Sequence, residues 1–193
     1  MAQTRRKSAK PASEAARRRS VEIVRKLAAE KAGDRVARAG EAAAESVRGE
    51  ALGRDQARAV AFARAVFRAA FLVAACDGEL APEERRRLIE TMSALTHGVA
   101  TPETVEAMIA DSLEGLQQNG FASALAEVGR AVDNQQDREA VFLVAVGIAA
   151  VDRHVEDEEL DVLDALASAL HLPLDRSRAL TAHTLSALRA DEG

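Results

Sequence analysis

Residues 65–95 and residues 140–170 of this 193-residue chain carry nearly the same text, displaced by 75 positions without a gap. Thirteen of the 31 aligned positions are identical: Ala65, Val66, Phe67, Ala70, Ala74, Ala75, Asp77, Glu83, Glu84, Leu88, Ser93, Ala94 and Leu95. Alanine richness inflates such a count, but five of the matches are Phe, Val, Asp or Glu. In each copy an apolar helix runs into an aspartate, a short loop follows, and a second helix opens on a pair of glutamates. An internal repeat constrains architecture before any single residue is interpreted, because each copy must bury its apolar face against something.

The surrounding pattern is helical. Val60, Ala63, Phe67, Ala70, Phe71 and Ala74 recur at helical spacing, and Pro82 suits a first helical turn, where its missing N–H is not needed. Gly78 is placed to stop the first repeat helix. Thr101-Pro102 opens a middle helix that Asn119-Gly120 closes; Phe121, Leu125, Val128 and Val132 mark a short amphipathic helix, and Pro173 with Asp175 introduces the last. No segment alternates with period two. The expected fold is all-α, a bundle of about seven helices built from two related helix–loop–helix repeats, with the nearly all-apolar helices at 62–76 and 139–151 at its centre.

Charge divides the chain. Residues 1–38 hold 12 Lys and Arg against 4 acids, and the remaining 155 residues hold 14 against 27, so a net of +8 sits beside a net of −13. We therefore expect a basic N-terminal arm over residues 1–53, disordered through residue 12 and helical from Ser13 to Ala32 with Ile23, Val24 and Leu27 on a narrow stripe. Residues 54–193 form the helical domain. The longest apolar run, 140–151, is 12 residues, short of the roughly 20 that a membrane span needs. A single cysteine, Cys76, leaves no intramolecular disulfide and reads as a small buried residue. These features imply a cytoplasmic protein, with the membrane periphery open to its basic arm.

The repeated acids are the candidate functional atoms. Asp77 with Glu84, and Asp152 with Glu159, each span eight residues across a loop, enough to turn two carboxylates into one space. An EF-hand shares this Asp-to-Glu spacing, but its first and third ligand positions would fall on Val73 and Ala75, or on Ile148 and Ala150, which cannot ligate. One pair is too few for a hard cation; two pairs drawn together would repel and call for a cation or a proton. Ca²⁺ or Mg²⁺ fits such an oxygen set, and Zn²⁺ or Mn²⁺ if His154 takes part. The competing reading is local: a glutamate at the third helical position caps the helix start, and Arg153 can neutralise Asp152 or Glu159. His97 and His171 fall near helix C-termini, and His183 reads as interfacial.

The segments AACDGELAPEERRRL and AAVDRHVEDEELDVL, with the tail LASALHLPLD, resemble the tellurite-resistance TerB family, whose domain also occurs in DjlA-type membrane co-chaperones. The resemblance covers roughly residues 55–190. It implies an all-helical domain without enzymatic activity, linked to tellurite, phage and stress responses, with paired acids as a metal-binding surface and with protein partners in membrane-associated assemblies. Asp77, Gly78 and Glu84 match the motif; Asp152 and Glu159 match in the second copy, where Arg153 replaces the usual glycine.

No nucleophile elbow, Walker loop, dinucleotide fingerprint or zinc-protease helix is present, and no small-molecule substrate is expected. Residues 1–38 suit phosphate contact with nucleic acid or with an anionic membrane surface, though without aromatics before Phe62 they offer no base stacking. The expectation is a non-catalytic, metal-binding stress-response module acting through protein–protein interaction. Its alternative is a metal-free acidic scaffold docked by the basic arm.

Overall fold

The computed structural model describes residues 14–32, 38, 54–76, 80–96, 98–150 and 157–190. Among them are seven helices and no strand: α1 Glu14–Ala32, α2 Arg54–Ala74, α3 Pro82–Leu95, α4 Pro102–Arg130, α5 Gln135–Ala149, α6 Asp157–Ala169 and α7 Leu174–Ala190. The duplication is visible in the backbone. Under the shift of 75, the last residue of α2, Ala74, falls on the last residue of α5, Ala149, and the first residue of α3, Pro82, falls on the first residue of α6, Asp157.

The two repeated apolar helices, α2 and α5, pack against each other at the centre, and the remaining helices cover them. Phe67, Phe71, Leu72, Phe142 and Leu143 are fully enclosed, and the Phe67 and Phe71 rings stack 6.4 Å apart. Each buried side chain of this size contributes about 1.5–3 kcal/mol, so the centre of the bundle supplies most of its stability.

Each central helix has its own outer neighbour, and the repeat diverges there. Helix α4 lies on α2, whereas α1 lies on α5 and also touches α3 and α7. Val24, Leu27 and Ala28 of α1 belong to the same apolar cluster as the repeat helices. The stripe expected on residues 23, 24 and 27 therefore packs into the core, Val24 and Leu27 buried and Ile23 partly so, and α1 shares that core across the 53/54 boundary. Gly147 permits this approach: a Cβ there would overlap Val24 Cγ2 and lie 2.6 Å from Cγ1. The corresponding residue of the first repeat is Leu72, fully buried. Gly147→Ala should lower stability by about 1–2 kcal/mol through overpacking. Val24→Ala in the same chain should give back part of that loss, which paired urea titrations will show as non-additivity.

Local signals set the helix ends. Thr101 Oγ1 accepts from the Thr104 N–H at 3.3 Å to start α4, and Asn134 Oδ1 accepts from the Asp137 N–H at 2.9 Å to start α5. Helix α4 breaks at Gly120, whose φ of 76° and ψ of 168° lie outside the helical region, so the two helices expected on either side of Asn119-Gly120 follow one another end to end. At the end of α6, the Leu172 N–H bonds to Ala167 O at 2.9 Å and the His171 N–H to Ser168 O at 3.0 Å, with His171 left-handed at φ 53°. That is a Schellman closure, and Pro173 then prevents the helix from continuing.

Candidate functional site

Both acidic loops leave the central layer at equivalent points. Helix α2 ends at Ala74 and turns through Ala75 and Cys76; α3 then starts at Pro82. Helix α5 ends at Ala149 and turns at Ala150; α6 then starts at Asp157. Asp77 and Gly78 in the first loop, and Asp152, Arg153 and His154 in the second, lie outside the described residues. Glu84 and Glu159 are described, and each is the third residue of its helix, half-buried.

Glu84 caps its own helix. Its Oε2 accepts the Ala81 N–H at 2.8 Å, satisfying a donor that the start of α3 leaves exposed. Ala81 has no side-chain acceptor to return the bond, so only the glutamate half of a capping box is made. The local role expected for this glutamate is thus realised. A carboxylate has about four lone-pair positions, so one amide bond does not exhaust it. Among the described residues no group of three or more His, Cys, Asp or Glu side chains is placed to hold a metal ion.

Other described acids are held across helices. Glu139, in the first turns of α5, is buried, and its Oε1 and Oε2 accept from Arg176 Nε at 2.8 Å and Nη2 at 2.6 Å. Gln135 donates to Oε1 at 3.2 Å, and the Lys31 ammonium stands 3.8 Å from Oε2. One carboxylate thus ties α1, α5 and α7 together. The Arg176 hydrogen bonds hold its pKa below the ordinary range, against the burial that would raise it. On the other side of the bundle, Arg68 of α2 pairs with Glu127 and lies 3.8 Å from Asp111, spanning the break in α4. Arg85 Nε donates to Glu106 at 2.7 Å, joining α3 to α4.

Spacing arguments overlooked these pairs because each is made across helices. Signals did exist. Glu139 stands immediately before the longest apolar run, and Arg68 interrupts an otherwise apolar one. A charge in such a place needs a partner. The histidine readings divide: His171 sits at the end of α6, while His183, expected at an interface, is exposed because α7 buries the Ser177–Leu180–Thr184–Leu188 stripe instead. Cys76 is half-buried against the core. Among the described residues no helix is long and apolar enough to cross a membrane.

The family model for tellurite resistance protein TerB matches residues 63–182. No curated protein matches the chain, and no solved structure does.

Proposed function

This chain belongs to the TerB family, and from that premise we propose that it is a non-catalytic stress-response module whose duplicated acidic loops bind a divalent cation and pass its occupancy to a protein partner. The supporting observation is the coincidence of helix ends: both acidic loops are bounded by the same two positions under the shift of 75, and both place a half-buried glutamate third in the following helix. The ligands in this reading are Asp77, Glu84, Asp152 and Glu159, with His154 as an added nitrogen. An all-carboxylate set suits Ca²⁺ or Mg²⁺, and participation of His154 moves the preference toward Zn²⁺ or Mn²⁺. A cation there would bind to helices that enter and leave the central layer, so occupancy would act on the angle between the repeats.

Calorimetric titration of the full chain with each of these four ions tests the site. The Asp77→Ala, Asp152→Ala double variant should lose at least tenfold in affinity, and unchanged heats would remove the site from consideration. Aspartates are the better targets, because truncating Glu84 also removes the cap on α3.

A second reading rests on the outer face of α1. Arg18, Arg19 and Lys26 are exposed there while the opposite stripe is buried in the core. Such a face suits phosphate contact with nucleic acid or anionic lipid, weakening steeply with salt. Deleting residues 1–38 would remove core side chains as well, so Arg18→Glu with Arg19→Glu is the discriminating change.

A further inference from the structure

We propose that copies of this chain associate head to tail, with α6 of one copy lying in the arginine-rimmed trough between α2 and α4 of the next. Helix α2 carries Arg54, Arg58, Arg64 and Arg68 against a single acid, Asp55. Arg54, Arg58, Ala61, Ala65 and Arg68 fall at i, i+4, i+7, i+11 and i+14, one side of a helix. Beside this face, between α2 and α4 on both sides of its break, lies a groove of about 540 Å³ with Ala107 and Met108 in its floor over the buried Phe67 and Val128, and with Arg64 on its rim. Arg58 and Arg130 line a wider groove that adjoins it at Ala131.

Arg68 is satisfied within the chain by Glu127 and Asp111. Arg54, Arg58, Arg64 and Arg130 are not: among the described residues none of their side chains makes an ion pair or a hydrogen bond. This is notable in residues 39–193, which carry a net of −13. The α4 side of the groove holds the acids Glu103, Asp111 and Glu127, so a docked acidic helix is turned with its charges toward α2.

Helix α6 is the complementary surface. It carries Asp157, Glu158, Glu159, Asp161 and Asp164 and no basic residue. Asp157, Asp161 and Asp164 are exposed and, like the arginines, make no ion pair among the described residues. Leu160 lies in the same stripe and is 42% exposed, one of two large apolar side chains left so among the described residues. Laid into the trough, that stripe would set Leu160 on the apolar floor and its aspartates against the arginines. Within its own copy α6 packs on α2 and α4 through Val162, Leu163, Leu166 and Ala167, which leaves the exposed stripe for another copy, so the contact propagates.

Sedimentation of the full chain in about 0.05 M salt, with chelator throughout, tests this. Wild type should form concentration-dependent oligomers that weaken roughly tenfold or more in about 0.5 M salt, as expected for exposed charge pairs. Asp161→Arg with Asp164→Arg, and separately Arg58→Glu with Arg64→Glu, should each sediment as monomers with unchanged circular dichroism. An equimolar mixture of the two should associate again, because every contact in it joins opposite charges. A wild type that stays monomeric at low salt, oligomers that persist in either variant, or a mixture that stays monomeric would each overturn the proposal. None of the substituted residues is a proposed metal ligand, so this result and the calorimetry stand or fall separately.

Discussion

Arg176→Ala should cost about 2 kcal/mol of folding stability at neutral pH, the scale of losing hydrogen bonds to a charged group and below that of a fully buried pair, and the loss should fade in acid. The Glu139 side chain is 9% exposed, that of Arg176 40%, so removing the arginine strands the partner that cannot reach water. Lys31 at 3.8 Å softens the penalty without replacing two aligned guanidinium bonds. The direction with pH follows from the same contacts. In the wild type Glu139 titrates below its ordinary value of 4.5, so its contribution is complete above that value and is lost as the pH falls through the depressed one. In the variant the largest cause of the depression is gone and burial remains, so Glu139 takes up its proton at higher pH. Wild type and variant should therefore differ most above the ordinary carboxylate range and converge once Glu139 is protonated in both. Urea titrations at pH 7 and at a pH below the depressed Glu139 value measure this, and a difference that is the same at both would rule out the carboxylate as the source.

A comparable loss, about 3 kcal/mol, is expected for Gly129→Ala. A Cβ on Gly129 would overlap the Ala169 carbonyl oxygen and lie 3.0 Å from the carbonyl carbon. Both are backbone atoms in the last turn of α6, which the Leu172-to-Ala167 bond and Pro173 hold in place. The obstacle therefore cannot rotate away as a side chain would, and α4 must move off α6. Gly115 is the internal control. It also lies in α4, but its Cβ would meet only Arg68 Nη2, at 3.8 Å. Gly115→Ala should be neutral or stabilising by up to about 1 kcal/mol, the ordinary gain for alanine over glycine in a helix. Opposite signs at the two glycines, read as urea midpoints, would locate the close approach; equal signs would contradict it.

Much of this architecture was legible in the sequence, because the repeat carried it. The apolar runs at 62–76 and 139–151 predict central helices, Pro82 predicts the start of α3, and Thr101-Pro102 the start of α4. Less legible were the positions where the two copies differ. Leu72 became Gly147, Arg64 became Glu139 and Leu143 answers to Arg68. Each difference reflects which helix the copy meets: α5 has α1 and α7 beside it, and α2 has α4. Composition alone could not show that a mostly hydrophilic α1 lends Val24 and Leu27 to the core, since much of its buried face is Ala16, Ser20 and Ala28, small residues that an apolar stripe does not register. At the acidic loops, the capping role of Glu84 could be read from its place in the helix. Bringing two loops together is a long-range matter that spacing within each loop does not address.

The docking of α1 has a consequence for where this molecule begins as a cooperative unit. The segment recognised by family resemblance opens at residue 63, inside α2 and well after α1. A chain cut there would keep every residue that identifies the family, yet it would lack the helix whose Val24 fills the notch at Gly147 and whose Lys31 faces Glu139. Recognition and folding thus have different N-terminal limits in this protein. Loss of α1 is therefore felt at the central layer.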